Sequence, residues 1–248
     1  MNRPSPASSP DTDLHNLRQT SYFERRLKKT MIPRDTPYLR RHIDEAVRFA
    51  KIAPSDHVLE VGSGMGRYTL LMADMGLHVA GMDLSQVLLN RLEGYNGGRY
   101  DIDLFCADLE APPDEMLGRF DVMVGFFVLH HVHDLDRALR GAAAVLKPGG
   151  KAVFVEPNPL NPLYYMQISL TPGMSWRVER GMTRMRPAVM RRSTAEAGLV
   201  GFSDEQFGFF PPFLANRRWA PTVEAVLEGI RPFRPFLPFR LFLARKPG

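Results

Sequence analysis

The sequence predicts an α/β fold built on a parallel sheet. Three observations carry this: short apolar strands alternate with amphipathic helices between residues 57 and 156, a glycine-rich loop follows the first strand, and carboxylates close the next two strands. His57-Val-Leu-Glu-Val61 reads as a buried strand, followed by the loop Gly62-Ser-Gly-Met-Gly66 and a helix from Arg67 to Met75. A second strand, His78 to Met82, ends at Asp83, and Ser85 is placed to cap a helix running to about Leu92. Ile102 to Ala107, Phe120 to Phe127 and Lys151 to Val155 supply three more strands, with a helix from Leu135 to Leu146 before the last. Near-continuous apolar strands are what a sheet covered on both faces requires.

The flanks read differently. Three proline–serine steps predict a disordered tail over residues 1–13, and the helical pattern from Leu14 to Phe49 breaks near Pro33 and Pro37, which gives two helices, the second from Tyr38 to Ala50. After Glu156 the alternation stops. Prolines at 157, 159, 162 and 172, with methionines and aromatics, fill the stretch to residue 186, before a helix from Pro187 to Ala197. Strands are expected at Val200 to Phe210 and Leu241 to Lys246, with a helix from Thr222 to Ile230 between them. If residues 231–239 adopt polyproline II, Phe233, Phe236 and Phe239 share one edge, near Arg231, Arg234 and Arg240.

Composition narrows the class. At 248 residues, 44 % hydrophobic and 24 % charged, the chain suits one substantial domain rather than a disordered or fibrous protein. One cysteine, Cys106, excludes an internal disulfide and a multi-cysteine zinc site. No apolar run approaches the roughly 20 residues of a membrane span, and the first ten residues lack a signal-peptide core, so a soluble, cytoplasmic protein is expected. The net charge of +5 divides into +4 over residues 1–50, −6 over 51–175 and +7 over 176–248, so the basic ends flank an acidic middle.

The chemistry concentrates around the glycine loop. Glycines there let a ligand lie against bare backbone at a helix start. Gly62, Gly64 and Gly66 are spaced G-x-G-x-G, and Arg67 follows, whereas a dinucleotide fingerprint needs G-x-G-x-x-G or A. Glu60 adds negative charge where a pyrophosphate would sit and suits a cationic ligand. Asp83 is placed to accept hydrogen bonds from a ribose diol and Asp108 from an exocyclic amine.

With these pieces stand Val58-Leu-Glu-Val-Gly-Ser-Gly-Met-Gly66, Gly81-Met-Asp-Leu-Ser85, Cys106-Ala-Asp-Leu109, Phe120-Asp-Val-Met-Val, Leu129-His-His-Val132 and Val145-Leu-Lys-Pro-Gly-Gly-Lys151. In this order they resemble the class I S-adenosylmethionine-dependent methyltransferases, of the small-molecule type 11 kind, over His57 to Asn158, about two-fifths of the chain. The resemblance implies a Rossmann-like seven-stranded sheet of order 3-2-1-4-5-7-6 with strand 7 antiparallel, N-terminal helices, and a lid insertion after strand 5. It implies one methyltransferase domain over residues 14–248: a helical cap (14–50), a cofactor-binding core (51–156), and the substrate lid with C-terminal strands (157–248). The implied cofactor is S-adenosyl-L-methionine, held at Glu60, Gly62, Ser63, Gly64, Asp83, Leu84, Asp108, Leu109 and Phe126.

Methyl transfer needs alignment and exclusion of water, and needs a base only where the acceptor keeps its proton. His131, after strand four, and Glu156, ending strand five, are the candidate catalytic residues. The run His130-His131-Val-His133-Asp134 has ligand-type residues, but no second ligand group accompanies it, and no metal is expected. The Met- and aromatic-rich segment after strand five suggests an apolar or amphiphilic small-molecule acceptor, methylated on oxygen. The basic, phenylalanine-rich C-terminal segment suggests peripheral membrane contact. Two rival readings are a nucleic-acid methyltransferase and a catalytically silent cofactor-binding partner subunit. The first lacks an Asn/Asp-Pro-Pro-aromatic motif where this chain has Gly125-Phe-Phe-Val, and the second sits poorly with an intact glycine loop. Acceptor identity and oligomeric state are not written in these motifs.

Overall fold

A computed structural model describes residues 10–25, 29–170 and 176–248. Seven strands form one sheet in the order β3-β2-β1-β4-β5-β7-β6. They are β1 (His57–Val61), β2 (His78–Asp83), β3 (Leu104–Cys106), β4 (Phe120–Phe126), β5 (Leu146–Pro157), β6 (Val200–Phe207) and β7 (Phe239–Arg245). β1 to β5 pair in parallel, and β7 is antiparallel to both β5 and β6. The expected order and the direction of strand 7 are both observed.

Each strand's alternation sends its side chains to two cores. Leu59, Met123, Phe154 and Phe242 face α5 (Leu135–Val145) and α8 (Pro187–Glu196), whereas Val58, Val124, Val153 and Leu241 face α2 (Pro37–Ala50) and α3 (Thr69–Asp74). Full burial of each such side chain stabilises the fold by roughly 1.5–3 kcal/mol. That driving force on both faces is why the inner strands β1, β2 and β4 are mostly apolar. The helix ends are set locally. Thr36 Oγ1 accepts the Leu39 N–H at 3.3 Å at the start of α2, and Ser85 Oγ accepts the Leu88 N–H at 3.1 Å at the start of α4 (Gln86–Asn96).

Several boundaries differ from the sequence expectations. Helix α1 (Pro10–Arg25) starts inside the stretch read as a tail. Proline suits the first helical turn, where its missing N–H costs nothing, and Asp11 and Asp13 complement the helix dipole there. The rest of the expected tail, residues 1–9, lies outside the described residues. β5 begins at Leu146, which pairs with Phe120, so the strand takes in the Lys147–Gly150 stretch expected to separate it from α5. After β5 come α6 (Pro162–Leu170), α7 (Trp176–Glu179) and a 3₁₀ turn, Arg180–Arg184; α9 (Pro212–Ala215) and α10 (Ala220–Gly229) follow β6.

The polyproline edge does not form. Arg231–Phe236 is a 3₁₀ helix, which also repeats every three residues and so keeps Phe233 and Phe236 together and exposed. Phe239 instead opens β7 and packs against the Tyr38, His42 and Phe207 rings. No helix among the described residues is long and apolar enough to cross a membrane.

Candidate functional site

A cavity of about 850 Å³ opens at the carboxyl ends of β1, β2 and β4. The strand order reverses between β1 and β4, and the divergence of the flanking connections leaves a crevice there.

The first wall is the loop after β1. Gly62 has φ +74°, and a Cβ there would lie 2.7 Å from Val128 Cγ2, so both conformation and space demand glycine. The N–H groups of Gly62 and Ser63 donate to the Met82 carbonyl, at 2.8 and 3.1 Å, which ties the loop to β2. Gly64 N–H donates to Asp83 Oδ2 at 2.9 Å, and Ser85 N–H to Oδ1 at the same distance. Ser63 Oγ is buried without a hydrogen-bond partner.

A row of carboxylates faces this loop. Burial pushes the Asp83 carboxyl above its usual range, against its backbone donors. Glu60, 1 % exposed, accepts the Thr69 hydroxyl at 2.5 Å, and burial raises its pKa to about 8. Asp108 accepts the Glu110 N–H at 2.8 Å and the Asn16 amide at 2.6 Å. Leu84, Leu109 and Phe126 also line the cavity, and Phe126 stacks on Tyr68 with ring centroids 4.1 Å apart. All nine residues expected to hold the cofactor thus border one cavity.

Helix α1 forms the opposite wall, a part of the site with no recognisable motif. Asn16 reaches Asp108, Glu24 accepts the Ser85 hydroxyl at 2.6 Å, and Phe23 lies edge-on to His131 at 5.4 Å. The signal in the sequence was a helical pattern from Leu14, ahead of the first strand.

The two candidate catalytic residues separate. His131 lines the cavity. Glu156 is fully buried, does not border the cavity, and uses both oxygens: Oε1 accepts the Val128 and Leu129 N–H groups at 2.9 and 2.7 Å, and Oε2 meets His130 Nδ1 at 2.6 Å. Phe127, with φ +57°, turns the chain so that those N–H groups face it, a conformation that costs a non-glycine residue on the order of 1 kcal/mol.

His130 joins this carboxylate to a second. Its Nε2 lies 3.5 Å from Glu179 Oε2, which also accepts the Tyr164 hydroxyl at 2.9 Å. Burial opposes charge on His130, but Glu156 and Glu179 outweigh it and push its pKa up to about 9. The segment after β5 is therefore tied to the end of β4. Gly181 seals the contact, since a Cβ there would lie 1.8 Å from the His130 carbonyl oxygen. His130, His131 and Glu179 also bring three ligand-type atoms within 4.8 Å. The sequence reading missed Glu179 because it lies 49 residues after His130 on a different element.

A methyltransferase-domain family model matches residues 34–200. The chain is 38 % identical over 99 residues to the ubiquinone biosynthesis O-methyltransferase of Idiomarina loihiensis, covering 39 % of this chain and 40 % of that one. To the protein of the same name from Chromobacterium violaceum it is 30 % identical over 163 residues, covering 63 % and 69 %. The chain thus spans about two-fifths of the length of several of these relatives. Among solved structures, Haemonchus contortus phosphoethanolamine N-methyltransferase 2 in complex with S-adenosyl-L-methionine superposes with TM-score 0.60 at 18 % identity, over 84 % of this chain and 53 % of that one. An S-adenosylmethionine-dependent methyltransferase from Archaeoglobus fulgidus gives 0.56 at 15 %, over 84 % and 91 %. The structural likenesses report the fold, the family model spans more than half of the chain, and the chain belongs to the methyltransferase-domain family.

Proposed function

We propose that this protein transfers a methyl group from S-adenosylmethionine to an oxygen of an apolar or amphiphilic small molecule. The carrying observation is the glycine turn at Gly62–Gly64 facing Glu60, Asp83 and Asp108, a set that repels pyrophosphate and suits an adenosine bearing a positive centre. The residues fit that cofactor on independent grounds. Ser63 Oγ, lining the cavity, is a buried polar atom lacking a partner. When bound, the sulfonium supplies an electrophilic methyl group with a good leaving group already in place.

The chain's own residues then bind, orient and exclude water. Asp83 has lone pairs left to accept from a ribose diol, and Asp108 shares its acceptor capacity between Asn16 and an adenine amine. Burial raises the Glu60 carboxyl to about 8, and a neighbouring ammonium favours its charged form. Binding is therefore expected to release a proton below about pH 8, with affinity for S-adenosylhomocysteine rising as pH approaches 8. Calorimetry in buffers of different ionisation heat measures this. Heat with NADH and none with S-adenosylhomocysteine would sink the reading.

At the acceptor end His131 is the proposed general base, because His130 already holds its proton between two carboxylates. Glu156 is better read as a positioning residue: it holds the Val128–Leu129 backbone and the His130 ring. The segment after β5 acts as the lid, contributing Leu163, Tyr164 and Met166 to the cavity.

Leu163, Met166 and Phe213 line the cavity yet stay 60 %, 53 % and 71 % exposed, an apolar rim with Arg217 and Arg218 close by in sequence and exposed. This supports an amphiphilic acceptor and contact with an anionic bilayer. The double variant Leu163→Ser/Phe213→Ser is expected to lose co-sedimentation with phosphatidylglycerol vesicles that the parent shows; no sedimentation of the parent retires the membrane part. Truncation at residue 230 is unsuitable as a test, because it removes β7 from between β5 and β6.

A further inference from the structure

Arg67 follows the glycine turn directly and has no part in the cofactor reading. It is the only lysine or arginine among the described residues lining the cavity. Its Nε is buried without a hydrogen-bond partner. Beside it the Tyr68 hydroxyl is likewise buried and without one, on a residue 5 % exposed. The guanidinium carbon lies 5.2 Å from the Tyr68 ring centroid.

Arg67 lies against the Tyr68 ring in the cavity wall, and its charge acts on Tyr38, His42 and Tyr68. Tyr38, Phe127 and Phe239 complete the wall there, each packed edge-on around His42. The Arg67 Nε and the Tyr68 hydroxyl are buried donors left unsatisfied, a cost that a ligand oxygen accepting from them would relieve. Such a recess takes a flat apolar body, and the guanidinium and phenol present donors suited to two oxygens of one carboxylate.

We propose that Arg67 and Tyr68 form a carboxylate-binding point for the methyl acceptor, so that the acceptor class is an aromatic acid whose ring lies against Tyr38, Phe127 and Phe239. This rests on the methyl-transfer reading, and its test is separable from that one. Calorimetry on protein saturated with S-adenosylhomocysteine compares trans-4-hydroxycinnamate with its methyl ester, as probes of charge at constant shape. The acid is expected to bind at least tenfold more tightly than the ester. In Arg67→Gln that preference is expected to vanish, in Arg67→Lys to survive in part, and in Tyr68→Phe to fall several-fold, with S-adenosylhomocysteine affinity unchanged in all three.

Equal binding of acid and ester to the parent protein, or no heat from the acid at millimolar concentration, overturns the proposal. So does a tenfold loss of S-adenosylhomocysteine affinity in Arg67→Gln with methylthioadenosine affinity unchanged, since the guanidinium would then hold the cofactor's own carboxylate. Failure of the parent to bind S-adenosylhomocysteine sinks the methyl-transfer reading instead, and the acid–ester comparison can still be made without it.

Discussion

Asp83→Ala is expected to weaken S-adenosylhomocysteine binding by at least a hundredfold while leaving the fold intact. Each hydrogen bond from a ligand hydroxyl to a charged group contributes about 1.5–3 kcal/mol, and a ribose diol offers two. The substitution also frees the Gly64 N–H, which Asp83 Oδ2 now holds at 2.9 Å, so the turn against which the ligand lies loosens as well. Thermal stability is expected to fall modestly, because the Gly64 and Ser85 N–H groups lose their acceptor, offset in part by relief of the carboxylate's desolvation. Asp83→Asn keeps the shape without the charge and is expected to fall between the two. Calorimetric affinities within threefold of the parent would remove Asp83 from the cofactor site.

His131→Ala is expected to lower kcat by roughly a hundredfold or more at neutral pH, with S-adenosylhomocysteine affinity unchanged, as for loss of a general base. The sign of its pH dependence follows from the acceptor. A phenol ionises near pH 10, so the deficit is expected to shrink as pH rises and the acceptor sheds its own proton. Glu156→Gln serves as the comparison. It disturbs the Val128 and Leu129 backbone contacts and the His130 ring, and is expected to lower stability as well as turnover without this recovery at high pH. A His131→Ala profile parallel to that of the parent at every pH would exclude the base. The same assays after dialysis against EDTA are expected to show no loss. A loss restored by Mg²⁺ or Mn²⁺ would recast His130, His131 and Glu179 as metal ligands.

The strands and the acids around the glycine turn were legible because both depend on short-range pattern, whereas the strand order came from the family resemblance. Short, largely apolar runs such as Val122–Phe126, bounded by turn signals, read as buried strands, and a glycine turn between strand and helix, with acids closing the neighbouring strands, brings those acids to one end of a parallel sheet. Phe239 shows where pattern fails. The Pro-Phe repeat predicts one edge of three rings, but pairing of β7 with β5 and β6 outweighs the local preference and turns Phe239 into the core.

Glu156 shows the same for chemistry. Its position at a strand end suggested a base, but a carboxylate that accepts two backbone N–H groups and a histidine N–H is committed to holding structure. By itself, then, the sequence determined the sheet, its two cores and the acids around the glycine turn, since these follow from alternation and from backbone geometry that glycine alone permits. Only the tertiary structure decided that α1 closes one wall of the cavity, that Glu179 meets His130 and that Arg67 Nε is buried without a hydrogen-bond partner. Those are contacts between segments far apart in the chain, and whether they form depends on how the whole molecule packs.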